Sequence, residues 1–189
     1  MDLLENQEKL GYELYDYYKK VYRYIKFIEE SISIENTESI QLLAYAGMSI
    51  TEWIYKKEHK YYESSITLSR SAFFLAIKNS ILYYCKKIKQ FQKKYNPNDL
   101  KNHILNYSEK KIKVSQANKN IYEYDKGNAD IVVCLNSFYD VMQFYEELSA
   151  NKEDLNALRR SRVVKNIVLI FSVLAAIITA IFTAMQFFK

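Results

Sequence analysis

Little in this chain breaks or staples a backbone. Its 189 residues include three Gly, one Pro and two Cys. That scarcity excludes collagen-like and linker-dominated chains. It also argues against a sandwich or barrel, which needs a turn roughly every 8–12 residues. Two cysteines exclude a disulfide scaffold, and Cys85 and Cys134 read as small buried hydrophobes on helices. The only histidines, His59 and His103, lack a Cys or carboxylate cluster at metal-ligand spacing, and HExxH is missing. Gly11, Gly47 and Gly127 stand too far apart to form a phosphate-cradling loop, and no GxSxG elbow occurs. Glu52 and Glu58 read as helix-surface carboxylates rather than an acid/base pair. No catalytic, cofactor-binding or metal-ligating residue is assigned, and the expectation is a protein that is not an enzyme.

What is present is apolar helix. From Ile167 to Phe188 run 22 residues without a formal charge, followed only by Lys189. At about 1.5 Å per residue that helix is roughly 33 Å long, enough for a hydrocarbon layer of about 30 Å. Arg159, Arg160, Arg162 and Lys165 lie just upstream, so the positive-inside rule places the N-terminal region in the cytosol. The acidic start, MDLLENQEKLGYEL, has no apolar core of a secretory signal. These features predict a tail-anchored, single-span protein: a cytosolic helical domain over 1–158, then a basic flank and membrane anchor over 159–189. Within the span Ser172, Ala176, Ala180 and Ala184 recur every four residues, with Thr179 and Thr183 beside them. A stripe of small residues lets a second helix approach closely, so self-association through the span is expected.

The fold class is all-α, with four to five long helices before the span. Leu10, Leu14, Tyr17, Val21, Ile25, Ile28 and Ile32 form one face of a first helix over about 2–33. Asn36 or Thr37 caps a second through about 58, with Ile40, Leu43, Gly47, Ile50 and Ile54 as its stripe and Gly47 a close-approach point. A third, over about 65–94, carries Ile66, Phe73, Ile77, Ile81, Tyr84, Ile88 and Phe91. Pro97 stops it, and Asn98 or Asp99 caps a weaker helix through Leu100, Ile104, Tyr107 and Val114. After the break at Lys126-Gly127-Asn128 a last helix holds Leu135, Phe138, Met142, Tyr145 and Leu148 and runs almost continuously into the span. The run IVVCL over 131–135 can also read as a strand, but it has no candidate partner. Tyrosine is heavily used, at 18 residues, often in pairs such as Tyr17/Tyr18 and Tyr83/Tyr84. One member of each pair is expected in the core and the other at solvent or a partner.

Charge is uneven. Residues 1–63 carry 8 basic and 12 acidic groups, residues 64–126 carry 13 and 4, and residues 127–189 carry 6 of each. The excess gathers at Lys86, Lys87, Lys89, Lys93, Lys94, Lys110, Lys111 and Lys113, with Lys101 between them. Three readings stay open: a solvated face paired with the acidic first helix, contact with an anionic leaflet, or contact with nucleic acid. Lys rather than Arg dominates, which offers little bidentate base readout.

A helical domain before a terminal span is similar in outline to SNARE proteins, yet the heptad lapses at Ser149 and Lys152. It is also similar in outline to tail-anchored apoptosis regulators, whose Asn-Trp-Gly-Arg motif is missing; the one Trp sits in Thr51-Glu52-Trp53-Ile54. The stretch from Ser69 to Phe74 faintly resembles HEPN-type ribonuclease domains, which require a His shortly after the Arg, and none follows Arg70 through Ile77. No family is assigned. The expected function is protein binding and assembly at a membrane. One alternative is a membrane-permeabilising effector that oligomerises through its span, although only Ser172, Thr179, Thr183 and Gln186 can line a pore. A second is a membrane-tethered nucleic-acid-binding or HEPN-like domain.

Overall fold

The structure, a computed structural model, describes residues 3–33 and 35–187, with side chains described for 9–33 and 35–178. Seven helices and no strand occur among them: α1 (Leu3–Ile32), α2 (Thr37–Lys56), α3 (His59–Lys94), α4 (Pro97–His103), α5 (Tyr107–Asp125), α6 (Ile131–Ala150) and α7 (Lys152–Phe187). The run over 131–135 is helical. Two breaks raise the count above the expected number. Asn106, at φ 55, turns the chain between α4 and α5, and Asn151 separates α6 from α7.

Helix α3 is the central element and is about 54 Å long at 1.5 Å per residue. Helix α2 packs antiparallel along its first half, where Ser65, Ser69, Ala72, Ala76 and Ser80 are fully buried. Small residues at spacings of four and three leave a shallow groove that admits α2 through Ser39, Leu43, Ala46 and Ile50. Gly47 is indeed a close-approach point, since an added Cβ would stand 3.3 Å from the Tyr18 hydroxyl. Ile54 is 51% exposed, and Trp53 takes its place on the buried side. Around the second half of α3 gather the end of α1, α5 and α6. There Ile25, Ile28, Ile77, Ile81, Ile88, Phe138 and Phe144 fill the main core. Leu14, Ile50 and Trp53 form a separate, smaller cluster at the far end.

The helix caps depart from expectation in two places. Asn36 stands at the N-cap of α2, but its side chain makes no capping hydrogen bond. Its N–H donates to Glu29 Oε1 (2.9 Å), and its side-chain oxygen accepts from Asn79 Nδ2 (3.3 Å), tying the α1–α2 turn to the middle of α3. Asn96, not Asn98 or Asp99, caps α4 by accepting from the Asn98 N–H (2.9 Å), with Pro97 in the first turn where its missing donor costs nothing. Asp130 caps α6 through the Val132 N–H at 3.2 Å. Two tyrosine pairs do not divide as expected, since Tyr17 and Tyr18 are both half-buried, as are Tyr61 and Tyr62; in the third, Tyr83 is half-buried while Tyr84 is buried and donates to the Ser31 carbonyl at 3.0 Å.

Candidate functional site: the root of the apolar helix and its neighbours

Helix α7 is the one helix among the described residues long and apolar enough to cross a membrane. Its first turns belong to the bundle. Leu155 is fully buried, and Asn156 Oδ1 accepts from the Tyr95 hydroxyl at 2.8 Å. Arg162 Nη2 donates to Asp99 Oδ1 at 2.6 Å, which fixes α7 against α4. From Arg159 onward every described side chain is exposed, including Ile167, Phe171, Leu174 and Ile178. So long a bare apolar surface is untenable in water and ordinary in lipid. Of the basic flank, Arg162 is engaged by Asp99, while Arg159, Arg160 and Lys165 are exposed and make no ion pair among the described residues.

In the small-residue stripe, Ser172 Oγ donates to the Val168 carbonyl at 2.9 Å. Its hydroxyl is therefore satisfied within the helix and leaves that surface smooth. Ala176 is exposed. The side chains of Thr179, Ala180, Thr183 and Ala184 lie outside the described residues.

The lysines divide into three groups rather than one face. Lys86, Lys89 and Lys93 border a cleft of about 360 Å³ between α3 and α5, beside Cys85 and Asn118. Lys87 and Lys94 lie on the other side of α3, where with Lys152 they line a cleft of about 500 Å³ walled by Phe91, Tyr95 and Tyr145. Lys110 pairs with Glu147, and Lys113 with Asp140 at 3.0 Å, so both are spent on α6. Lys111 belongs to none of the three; it is exposed and makes no ion pair among the described residues. Pairing with the acidic first helix does not occur among the described residues; the carboxylates that engage lysines of the segment are Glu147 and Asp140 of α6 and Asp125 of α5.

The far end of the bundle carries a feature that periodicity does not reveal. Gly11, Tyr12, Tyr15, Ile50, Trp53, Ile54 and Lys57 line an apolar cleft of about 430 Å³ between α1 and α2. Tyr12 and Tyr15 are 76% and 56% exposed. Gly11 allows this packing, because a Cβ there would stand 3.0 Å from the Trp53 ring. A glycine inside a helix facing the chain's only tryptophan was the available signal.

Cys85 and Cys134 are both buried, and burial pushes both thiols above their ordinary range, which makes them poor nucleophiles. His59 stacks on Tyr62, and the His103 ring meets the Asp99 carbonyl. Among the described residues no three His, Cys, Asp or Glu converge to hold a metal. No protein-family model matches the chain, and neither does any curated protein or solved structure.

Proposed function

We propose that the chain is a single-span membrane protein that acts by binding rather than catalysis: residues 1–158 form a cytosolic bundle, and residues 159–189 its basic flank and anchor. One observation carries this reading. Helix α7 is locked into the bundle at Leu155, Asn156 and Arg162, then continues without a break into a fully exposed apolar stretch. The adjoining Arg159, Arg160 and Lys165 favour a cytosolic bundle. The protein partner docks at the far end, where Tyr12, Tyr15, Tyr45, Met48 and Tyr55 expose large side chains suited to a partly wet interface. Two copies associate through Ser172, Ala176, Ala180 and Ala184.

The test is expression of the full chain in a bacterial host. Retention in membranes after alkaline carbonate washing, with the bundle digested only when the cytosolic face is opened to protease, is the expected result. Release by carbonate removes the span. Ala176→Leu with Ala180→Leu should lower crosslinking between spans, and unchanged crosslinking removes their pairing. Membrane potential should be unaffected; depolarisation that requires the span would replace the binding reading with that of a permeabilising effector.

A further inference from the structure

The anchor places one corner of the bundle at the bilayer surface. Arg162, the residue that grips Asp99, lies five positions before the uncharged run begins at Ile167. At 1.5 Å per residue that is about 7 Å, the thickness of one headgroup layer. Helix α4 is therefore held at headgroup depth by its ion pair to α7, and Asp99 is itself mostly covered, at 13% side-chain exposure. The chain leaves α4 through Ile104, which is buried, and Leu105, which is 75% exposed, before Asn106 reverses it into α5. An exposed leucine at the tip of a turn has no role in the core. Near it in the chain Lys101 is exposed and makes no ion pair among the described residues, and Lys111 follows on α5. The carboxylates of this corner are Asp99, engaged by Arg162, and the exposed Glu109.

We infer that the α4–α5 corner is a second membrane contact, in which Leu105 seats in the interfacial layer and Lys101 and Lys111 meet acidic phospholipid headgroups. The inference rests on α7 being the span. A leucine supplies apolar burial and each lysine supplies attraction to an anionic leaflet, the combination that holds a segment at an interface without crossing it. With α7 it makes two attachment points, so the bundle is oriented and not merely tethered.

The experiment uses the full chain in phosphatidylcholine vesicles with or without 30% phosphatidylglycerol (about 30%, enough for an anionic surface). An environment-sensitive fluorophore is attached at Leu105→Cys, at Leu169→Cys in the apolar run, or at Tyr55→Cys on the far end; the buried Cys85 and Cys134 are checked by labelling the parent chain. The label at 169 should be quenched by brominated lipid in both vesicles, and that at 55 only by aqueous iodide. At 105 it should be lipid-quenched in anionic vesicles, and Lys101→Gln should lower the lipid-contacting fraction about fivefold. Water at 105 with lipid at 169 overturns the corner contact and leaves the span intact. Equal lipid contact at 105 in both vesicles overturns the role of acidic headgroups. Water at 169 overturns the span itself.

Discussion

The two ends of α3 are built on different rules. Near the root, large side chains such as Ile81, Tyr84 and Ile88 are enclosed on several sides by α1, α5 and α6. At the far end, serines and alanines let α2 lie close, and the remaining apolar contacts reduce to Leu14, Ile50 and Trp53 beside an open cleft. One helix serves both because neighbour distance, not helix propensity, decides which side-chain size fits. The filled end abuts the root of α7. The open end keeps aromatic surface uncovered.

The largest expected effect sharpens that contrast. Phe138 is fully buried and ringed by Phe27, Tyr84 and Tyr139. Phe138→Ala should cost about 3–5 kcal/mol, the loss typical of a truncated core aromatic. Trp53→Ala removes more atoms but opens onto an existing cleft into which the site can relax, so its loss should lie at the low end of that range, about 3 kcal/mol. Denaturant titration in micelles checks both, and equal losses would erase the distinction between the ends.

Next comes the joint between the two halves. Burial opposes ionisation of Glu29, but the Lys26 ammonium (2.7 Å) and the Asn36 N–H outweigh it and hold the carboxyl below its ordinary range. A depressed carboxyl stabilises the fold fully above its unfolded value, near 4.5, and that contribution fades as pH falls through the lower folded value. Glu29→Gln should cost about 1.5–3 kcal/mol at neutral pH, as for a hydrogen bond to a charged group. The difference from the parent chain should shrink below about pH 4. A pH-independent difference would mean that shape, and not charge, holds the turn.

The α2–α3 seam predicts a smaller effect of opposite sign. Ser69 Oγ is buried and has no hydrogen-bond partner among the described residues. Ser69→Ala should stabilise by up to about 1 kcal/mol, by removing an unpaired polar atom without changing the width of the groove. A loss of melting temperature would show that the hydroxyl has a partner in solution.

How much of this was legible follows from how many sides each helix buries. Helix α1 packs on one face, so Leu14, Val21, Ile25, Ile28 and Ile32 appear in the sequence as a regular stripe, and all five are buried. Helix α3 packs on two. Its large residues were legible, but the Ser65–Ser80 seam opposite them reads in sequence as a polar face. In α6 the core runs through Cys134, Val141 and Phe144, one step round from the expected Leu135, Met142 and Tyr145, which are half-buried. The long apolar helix needed only length and composition to be legible. The split of the lysines depended on Glu147 and Asp140 arriving from α6, and the far cleft on Gly11 meeting Trp53, both long-range meetings that no local pattern encodes.

The smallest expected change in stability belongs to the contact that joins the two themes. The Arg162–Asp99 pair is partly exposed, and such pairs contribute about 0–1 kcal/mol. Asp99→Asn should therefore leave the denaturation midpoint nearly unchanged. Its effect should fall on geometry. Without the ion pair, α7 keeps Leu155 and the Tyr95–Asn156 hydrogen bond, both at least six residues nearer the helix start than Arg162, so the apolar part of α7 gains a pivot relative to the bundle. Spin labels on α4 and at the start of the apolar run should report a broader distance distribution in the variant, while labels on α3 and α6 report none. If the α4 distances stay narrow, the orientation of the bundle is set by packing at Leu155 alone, and the filled end of α3 does the holding without electrostatic help.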